Sequence, residues 1–138
     1  MARDHAEIES LIADARLMVG DGEMERAEDL VRDIRLRFLR HIQTEEQIVF
    51  PLLERRTGRH SGPTVIMRHE HVRIQGELGE MAAALERGDR TSFIAAHARL
   101  QALLPAHNLK EERFLYPVID ASLGDRERQE VVARLHAT

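Results

Sequence analysis

Six residues of this chain have the atoms and the spacing to hold metal ions: His5, His41, Glu45, His71, His107 and Glu111. Four of them form two His-x-x-x-Glu pairs, His41/Glu45 and His107/Glu111, whose side chains lie one helical turn apart on the same face. An imidazole and a carboxylate so placed can converge on one ion or on two adjacent ions. Both pairs sit on apolar stripes, where a buried carboxylate costs on the order of several kcal/mol unless a cation compensates it. Four imidazoles divide as two per ion and two carboxylates can each bridge, so the set suggests two metals. Nitrogen and oxygen ligands without sulfur suit iron or manganese, with zinc a further option. Each ion then has four protein ligands, leaving room for a small bridge and an exogenous ligand.

These residues belong to a repeat. The stretch HIQTEEQIVFPLLE, starting at His41, is echoed by HNLKEERFLYPVID, starting at His107, 66 positions on. His, Glu, Glu and Pro recur in register at 41/107, 45/111, 46/112 and 51/117, with an aromatic, Phe50 or Tyr116, before each proline. The same offset relates DHAEI at Asp4 to EHVRI at Glu70, and so His5 to His71. Gly22 maps onto Gly88, Ile34 onto Leu100 and Phe38 onto Leu104, so loop and core positions follow it too.

The elements that must position these ligands are helices. Alanine, leucine, glutamate and arginine dominate and aromatics are only 4%, which favours an all-α fold. The spacing predicts a first helix over about 3–19, with His5, Ile8, Leu11, Ile12 and Ala15 on one stripe. Gly20-Asp21-Gly22 ends it. A second helix from about Glu23 carries Leu30, Ile34, Phe38, His41, Glu45 and Ile48 inward, and Pro51 is expected to kink or end it. Pro63 opens a third helix to about Arg87, with Met67, His71, Ile74, Leu78, Met81 and Leu85 as its stripe. Asp89 caps a fourth, which buries Phe93, Leu100, Leu104, His107, Glu111 and Phe114 or Leu115 before Pro117. Short connections make neighbours antiparallel, giving an up-down-up-down four-helix bundle with a short C-terminal helix. The expected organisation is one domain over 1–138, with hairpin repeats at about 1–60 and 61–124 and a tail helix over 125–138.

Nearby polar residues receive plainer readings. His69 falls about 200° around the helix from His71 and faces solvent. His97 shares the inner stripe but lies about 15 Å along the axis from His107. His60 and His136 read as loop and tail residues. Glu46 and Glu112 lie about 100° off the ligand face and are read as a solvated or salt-bridged face, with hydrogen bonding to a ligand histidine as the functional alternative. Helical phase turns Tyr116 away from Glu111, so packing beside Pro117 is its expected role. Met18, Met67 and Met81 read as core fillers.

The pattern of His5, His41/Glu45, His71 and His107/Glu111, with Glu45 to Pro51 forming E-E-x-x-[VL]-[FY]-P, resembles the hemerythrin-like (HHE cation-binding) family across nearly the whole chain. The resemblance implies a non-heme di-iron centre, oxo- or hydroxo-bridged, with Glu45 and Glu111 bridging and the histidines terminal. Oxygen-carrying hemerythrins have a further histidine one turn before the third-helix ligand, where this chain has Met67. Their last pair is His-x4-Asp, where this chain has His-x3-Glu. The chain is therefore similar to the more symmetric four-histidine branch, associated with iron or oxygen sensing, peroxide breakdown and nitric oxide chemistry.

Three functions follow as expectations. The first is a di-iron protein reacting with O2, peroxide or nitric oxide, with catalase- or peroxidase-like turnover and a role in oxidative stress. The second is an iron- or oxygen-sensing module without turnover, and the third a metal-free interaction bundle, which leaves the buried carboxylates unexplained. The expected partners are a small diatomic ligand or peroxide and an electron-donor protein, in a monomer or weak dimer. A formal charge of −4 with mixed signs argues against nucleic acid. No apolar run approaches ~20 residues and the N-terminus lacks a signal peptide's hydrophobic region, so no membrane association and a cytoplasmic location are expected. With no cysteine, neither disulfides nor thiolate sites are available. Ferritin-type Glu-x-x-His pairs, the His-Glu-x-x-His zinc motif and Gly-rich phosphate loops are all missing.

Overall fold

Apolar residues recurring every three or four positions build four long helical rods, and the same stripes carry the histidines. The computed structural model describes residues 2–59 and 62–117, together with 124, 126, 129–130 and 133. Its helices are α1 (Ala2–Gly20), α2 (Met24–Thr44), α3 (Phe50–Thr57), α4 (Pro63–Glu86) and α5 (Arg90–Lys110). No strand occurs among the described residues. Packing runs around a closed ring: α1 lies against α2, α2 against α4, α4 against α5, and α5 against α1. The expected four-helix bundle is thus present, with α3 as a continuation of α2. The tail helix expected over 125–138 falls largely outside the described residues.

Each stripe buries its own share of the core. Ile8, Ile12, Ala15 and Val19 come from α1, Val31, Ile34 and Phe38 from α2, Ile74, Leu78 and Met81 from α4, and Phe93, Leu100 and Leu104 from α5. A second, smaller apolar cluster comprises Val49, Phe50, Met67, Leu115 and Tyr116. On the same stripes, His41, Glu45, His71, His107 and Glu111 fall between the residues of these two clusters in sequence, and His5 precedes Ile8. His41 follows Phe38 on α2, and Glu45 precedes Val49.

The two hairpin turns are built alike. Gly22 and Gly88 adopt φ of 78° and 71°. The amides of Glu23 and Asp89 each reach back to the carbonyls of Met18 and Ala84, both at 2.8 Å, in the manner of a Schellman cap. Only Asp89 adds a side-chain cap, accepting from the Ser92 amide at 3.0 Å.

The course of the chain past the ligand pairs differs from expectation. Pro51 does not end the second helix, which passes through a single π-helical turn, Glu45–Val49, and runs on as α3 to Thr57. The matching turn, Glu111–Leu115, follows α5. Phe50 donates its amide to the Glu45 carbonyl and Tyr116 to the Glu111 carbonyl, each five residues back. In a regular α-helix a proline ring crowds the carbonyl four residues earlier. A wider turn shifts that carbonyl and needs no N–H from the proline, so the helix continues. The two prolines and the two π-turns are one local device.

Gly88→Ala isolates the cost of the turn, because a Cβ there meets nothing within 4 Å and only the positive φ opposes it. The substitution is expected to cost about 1 kcal/mol, read as a lower urea midpoint. An unchanged midpoint contradicts the left-handed turn.

Candidate metal centre

All six residues singled out by spacing meet in the bundle interior. Their ligand atoms form two groups, His5/His41/Glu45/Glu111 and Glu45/His71/His107/Glu111, each within 4.8 Å internally. The two glutamates belong to both. Each histidine is at most 2% exposed and the two glutamates are fully buried. His5 Nε2 lies 3.0 Å from Glu111 Oε1, and His107 Nε2 lies 3.3 Å from the same oxygen. Glu45 turns one oxygen each way: Oε2 is 3.5 Å from His41 Nε2, and Oε1 is 3.2 Å from His71 Nε2. Neighbouring ligands on one ion with bonds of roughly 2.1 Å at right angles are roughly 3.0 Å apart. The Nε2 and carboxylate atoms have about that spacing.

The donor chemistry fits a cation. His41 Nε2, His71 Nε2, Glu45 Oε1 and both Glu111 oxygens are buried without a hydrogen-bond partner. Buried polar atoms are almost always partnered, so a convergent set of unpartnered nitrogens and carboxylate oxygens calls for a positive charge among them.

Outside this layer, each imidazole presents its other nitrogen to a carboxylate. His5 Nδ1 is 3.1 Å from Glu112 Oε1, and His71 Nδ1 is 3.1 Å from Glu46 Oε1. His107 Nδ1 is 3.0 Å from Glu70 Oε1, and His41 Nδ1 faces Asp4 Oδ2 at a longer 3.8 Å. An Nδ1–H held by a carboxylate leaves the Nε2 lone pair directed inward. Lys110 in turn donates to Glu70 at 2.7 Å, and Arg37 Nη2 lies 3.8 Å from Asp4 Oδ1 while bonding Glu7. The four supporting acids obey the repeat, Asp4 with Glu70 and Glu46 with Glu112.

The aromatic before each proline also enters the site. Phe50 stacks on His71 with centroids 5.7 Å apart, and Tyr116 stacks on His5 at the same distance. The Tyr116 hydroxyl donates to Glu45 Oε2 at 2.8 Å and lies 3.1 Å from His5 Nε2. Arg68 lies over the outer face of Phe50 while bonding Glu54, which also accepts from the Thr64 hydroxyl.

Two readings from helical phase are corrected here. Tyr116 does not merely pack beside Pro117, and Glu46 and Glu112 follow the alternative reading, each meeting a histidine of the site rather than forming only a solvated or salt-bridged face. The expectation for Tyr116 used the α-helical step throughout. The π-turn inserts a residue into that step and brings position i+5 under position i, so Tyr116 returns towards Glu111 and Phe50 towards Glu45. Asp4 and Glu70 also join the site, with no role expected for them from helical spacing, although an acid directly before each isolated histidine is part of the DHAEI/EHVRI echo. The other histidines stay outside both groups. His69 is exposed, while His97 is half-buried and stacked on Phe93. His60 and His136 lie outside the described residues.

In the ion-free chain, protons meet the charge of the glutamates. Burial works against charging His41, but Glu45 and Asp4 outweigh it and raise its pKa to about 10. His71 is likewise raised to about 10, burial being overcome by Glu111 and Glu45, and His107 is raised by Glu111 and Glu70. Glu111 is held well below the usual carboxylate range, because His107, His5 and His71 outweigh its burial. Burial, with the charges of Glu45 and Glu111, pushes the Tyr116 phenol well up, keeping it a donor. A metal ion entering here must displace imidazole protons.

Comparison with known proteins supplies one match. A family model described as the hemerythrin HHE cation binding domain covers residues 1–119 and, a second time, residues 64–138. Neither a curated protein nor a solved structure matches the chain. No helix among the described residues is long and apolar enough to cross a membrane.

These charge states predict a pH dependence for the chelator-treated protein. A histidine whose pKa is raised by folding stabilises the fold below its ordinary 6.5, and that contribution is lost as pH climbs through about 10. The depressed Glu111 acts oppositely: its contribution is present above the ordinary 4.5 and is lost as pH falls through its lower folded value. The thermal midpoint of the ion-free chain should therefore fall steadily from pH 7 to pH 10. A midpoint that rises over this interval contradicts the assigned protonation.

Proposed function

We propose that this chain, which belongs to the hemerythrin HHE cation binding domain family, holds two iron ions and reacts with O2, peroxide or nitric oxide. The observation that carries the reading is the convergence of buried Nε2 and carboxylate atoms in two groups sharing both glutamates, with His41 Nε2, His71 Nε2, Glu45 Oε1 and both Glu111 oxygens lacking a hydrogen-bond partner. His5 and His41 would hold one ion, His71 and His107 the other, with Glu45 and Glu111 spanning the two. Iron bound there supplies one-electron redox chemistry and open positions for a small ligand.

The chain's own residues supply the rest. The carboxylates of Glu112, Asp4, Glu46 and Glu70 fix the orientation of the imidazoles and make them better donors. Val49, Phe50, Met67 and Leu115 pack together beside the site, with Phe50 stacked on His71, and this apolar surface would limit water there. The position one turn before His71 holds Met67, 3% exposed and without a nitrogen to offer. The group at His71/His107 therefore stays at four protein ligands. That supports reactivity over storage of O2, for which a separate electron-donor protein would supply reducing equivalents.

Metal analysis and the absorption spectrum of aerobically purified protein test the reading, with about two irons per chain expected. His41→Ala combined with Glu111→Ala should lose both ions, and retention of full iron by this double variant sinks the ligand assignment. Glu46→Gln and Glu112→Gln should each lower iron affinity by about 10- to 100-fold without unfolding the chain. Peroxide added to the iron-loaded protein should be turned over, and binding without turnover overturns the reactive part of the proposal.

A further inference from the structure

Tyr116 breaks the symmetry of the site. The ligand histidines, both glutamates and all four supporting acids have a counterpart of like chemistry 66 positions away. Tyr116 does not: its counterpart, Phe50, has the same stacking role but no polar atom. The phenol is 6% exposed and its oxygen points inward. That oxygen is 2.8 Å from Glu45 Oε2 and 3.1 Å from His5 Nε2. Both atoms belong to the His5/His41 group. An oxygen roughly 3 Å from two ligand atoms of one ion sits where the next ligand of that ion belongs.

Resting on the two-iron reading above, we propose that Tyr116 is a further oxygen ligand of the ion held by His5 and His41. The two ions are then unequal. One takes a phenolic oxygen in addition to its two histidines and two glutamates. The other, facing Phe50, keeps only four protein ligands and is left for the exogenous molecule. Coordination exchanges the phenol's O–H bond for an O–metal bond, releases the proton to solvent and changes no oxidation state.

The packing beside the Phe50 cluster is not closed. A cavity of about 140 Å³ is lined there by Leu53, Pro63, Met67 and Leu115 together with the polar Thr57, Thr64 and Arg59. Met67 and Leu115 also belong to the cluster that contains Phe50. Met67 lies one turn before His71 on α4, so it is the wall residue of this cavity nearest in sequence to the four-ligand half.

The test uses ferric iron as the probe and reads the visible and resonance Raman spectra. Tyr116 is the chain's only tyrosine, so a tyrosinate-to-iron charge-transfer band in the unaltered protein can arise from no other residue. The band and its enhanced ring vibrations are expected. Tyr116→Phe should retain about two irons and lose both signals. Adding Phe50→Tyr to Tyr116→Phe should restore a band, now from the opposite ion. A fully iron-loaded protein without the band, or a band that persists in Tyr116→Phe, overturns the proposal while leaving the two-iron site intact. Failure of the unaltered chain to bind iron overturns the underlying reading itself.

Discussion

Two carboxylates buried side by side, Glu45 and Glu111, set the terms for this structure. Each is fully enclosed, their oxygens converge in both ligand groups, and like charges at such range repel strongly in a low-dielectric interior. Something positive has to sit with them. In the ion-free chain that role falls to protonated imidazoles, which is why His41 and His71 hold their protons to about pH 10. With cations present the same nitrogens would become ligands. The polar layer is thus a charge-balanced unit in either state, and breaking one member strands the others without compensation.

The neutralising layer spreads outward in steps of decreasing burial. Glu45 and Glu111 are enclosed by four buried imidazoles, and those by Asp4, Glu46, Glu70 and Glu112, two of which are about a third exposed at the side chain. Lys110 and Arg37 then meet Glu70 and Asp4 at the surface. Negative and positive shells alternate from the centre to solvent. This ordering lets a highly charged layer exist inside a bundle whose remaining interior is aliphatic, and it fixes each ring without demanding a rigid loop.

Much of this was legible in the residues, and the part that was not has a single physical origin. The 66-residue echo located all six inward-facing candidate ligands, the hairpin glycines and the core stripes, because periodicity and burial cost depend only on residue type and spacing. The environment of Tyr116, Glu46 and Glu112 depends on helical phase beyond the ligand pair. There the π-turn breaks the 3.6-residue rule, so extrapolation at 100° per residue pointed Tyr116 the wrong way. The clue was present in Pro51 and Pro117, since a proline six residues after a buried glutamate, inside a helix that must continue, calls for a widened turn. Asp4 and Glu70 escaped for a different reason: an acid beside a histidine in sequence points about 100° away on a regular helix, and its value appears only once the neighbouring helix is in place.

The pairing of rings with acids explains why two hairpins, rather than one, are needed. His41 and His107 take their acids, Asp4 and Glu70, from their own hairpins, whereas His5 is held by Glu112 and His71 by Glu46, across the interface. Each ligand group likewise draws one glutamate from each half. Neither half alone contains a complete set of ligands or of supports. The π-turns enforce this exchange, because they bring Phe50 from the first half onto His71 and Tyr116 from the second onto His5. A change at either turn therefore acts on the opposite half's histidine, and sequence divergence between the turns is the cheapest way to make the two ends of the site chemically different. Phe50 and Tyr116 are that divergence, one oxygen atom placed at one end of an otherwise symmetric cage.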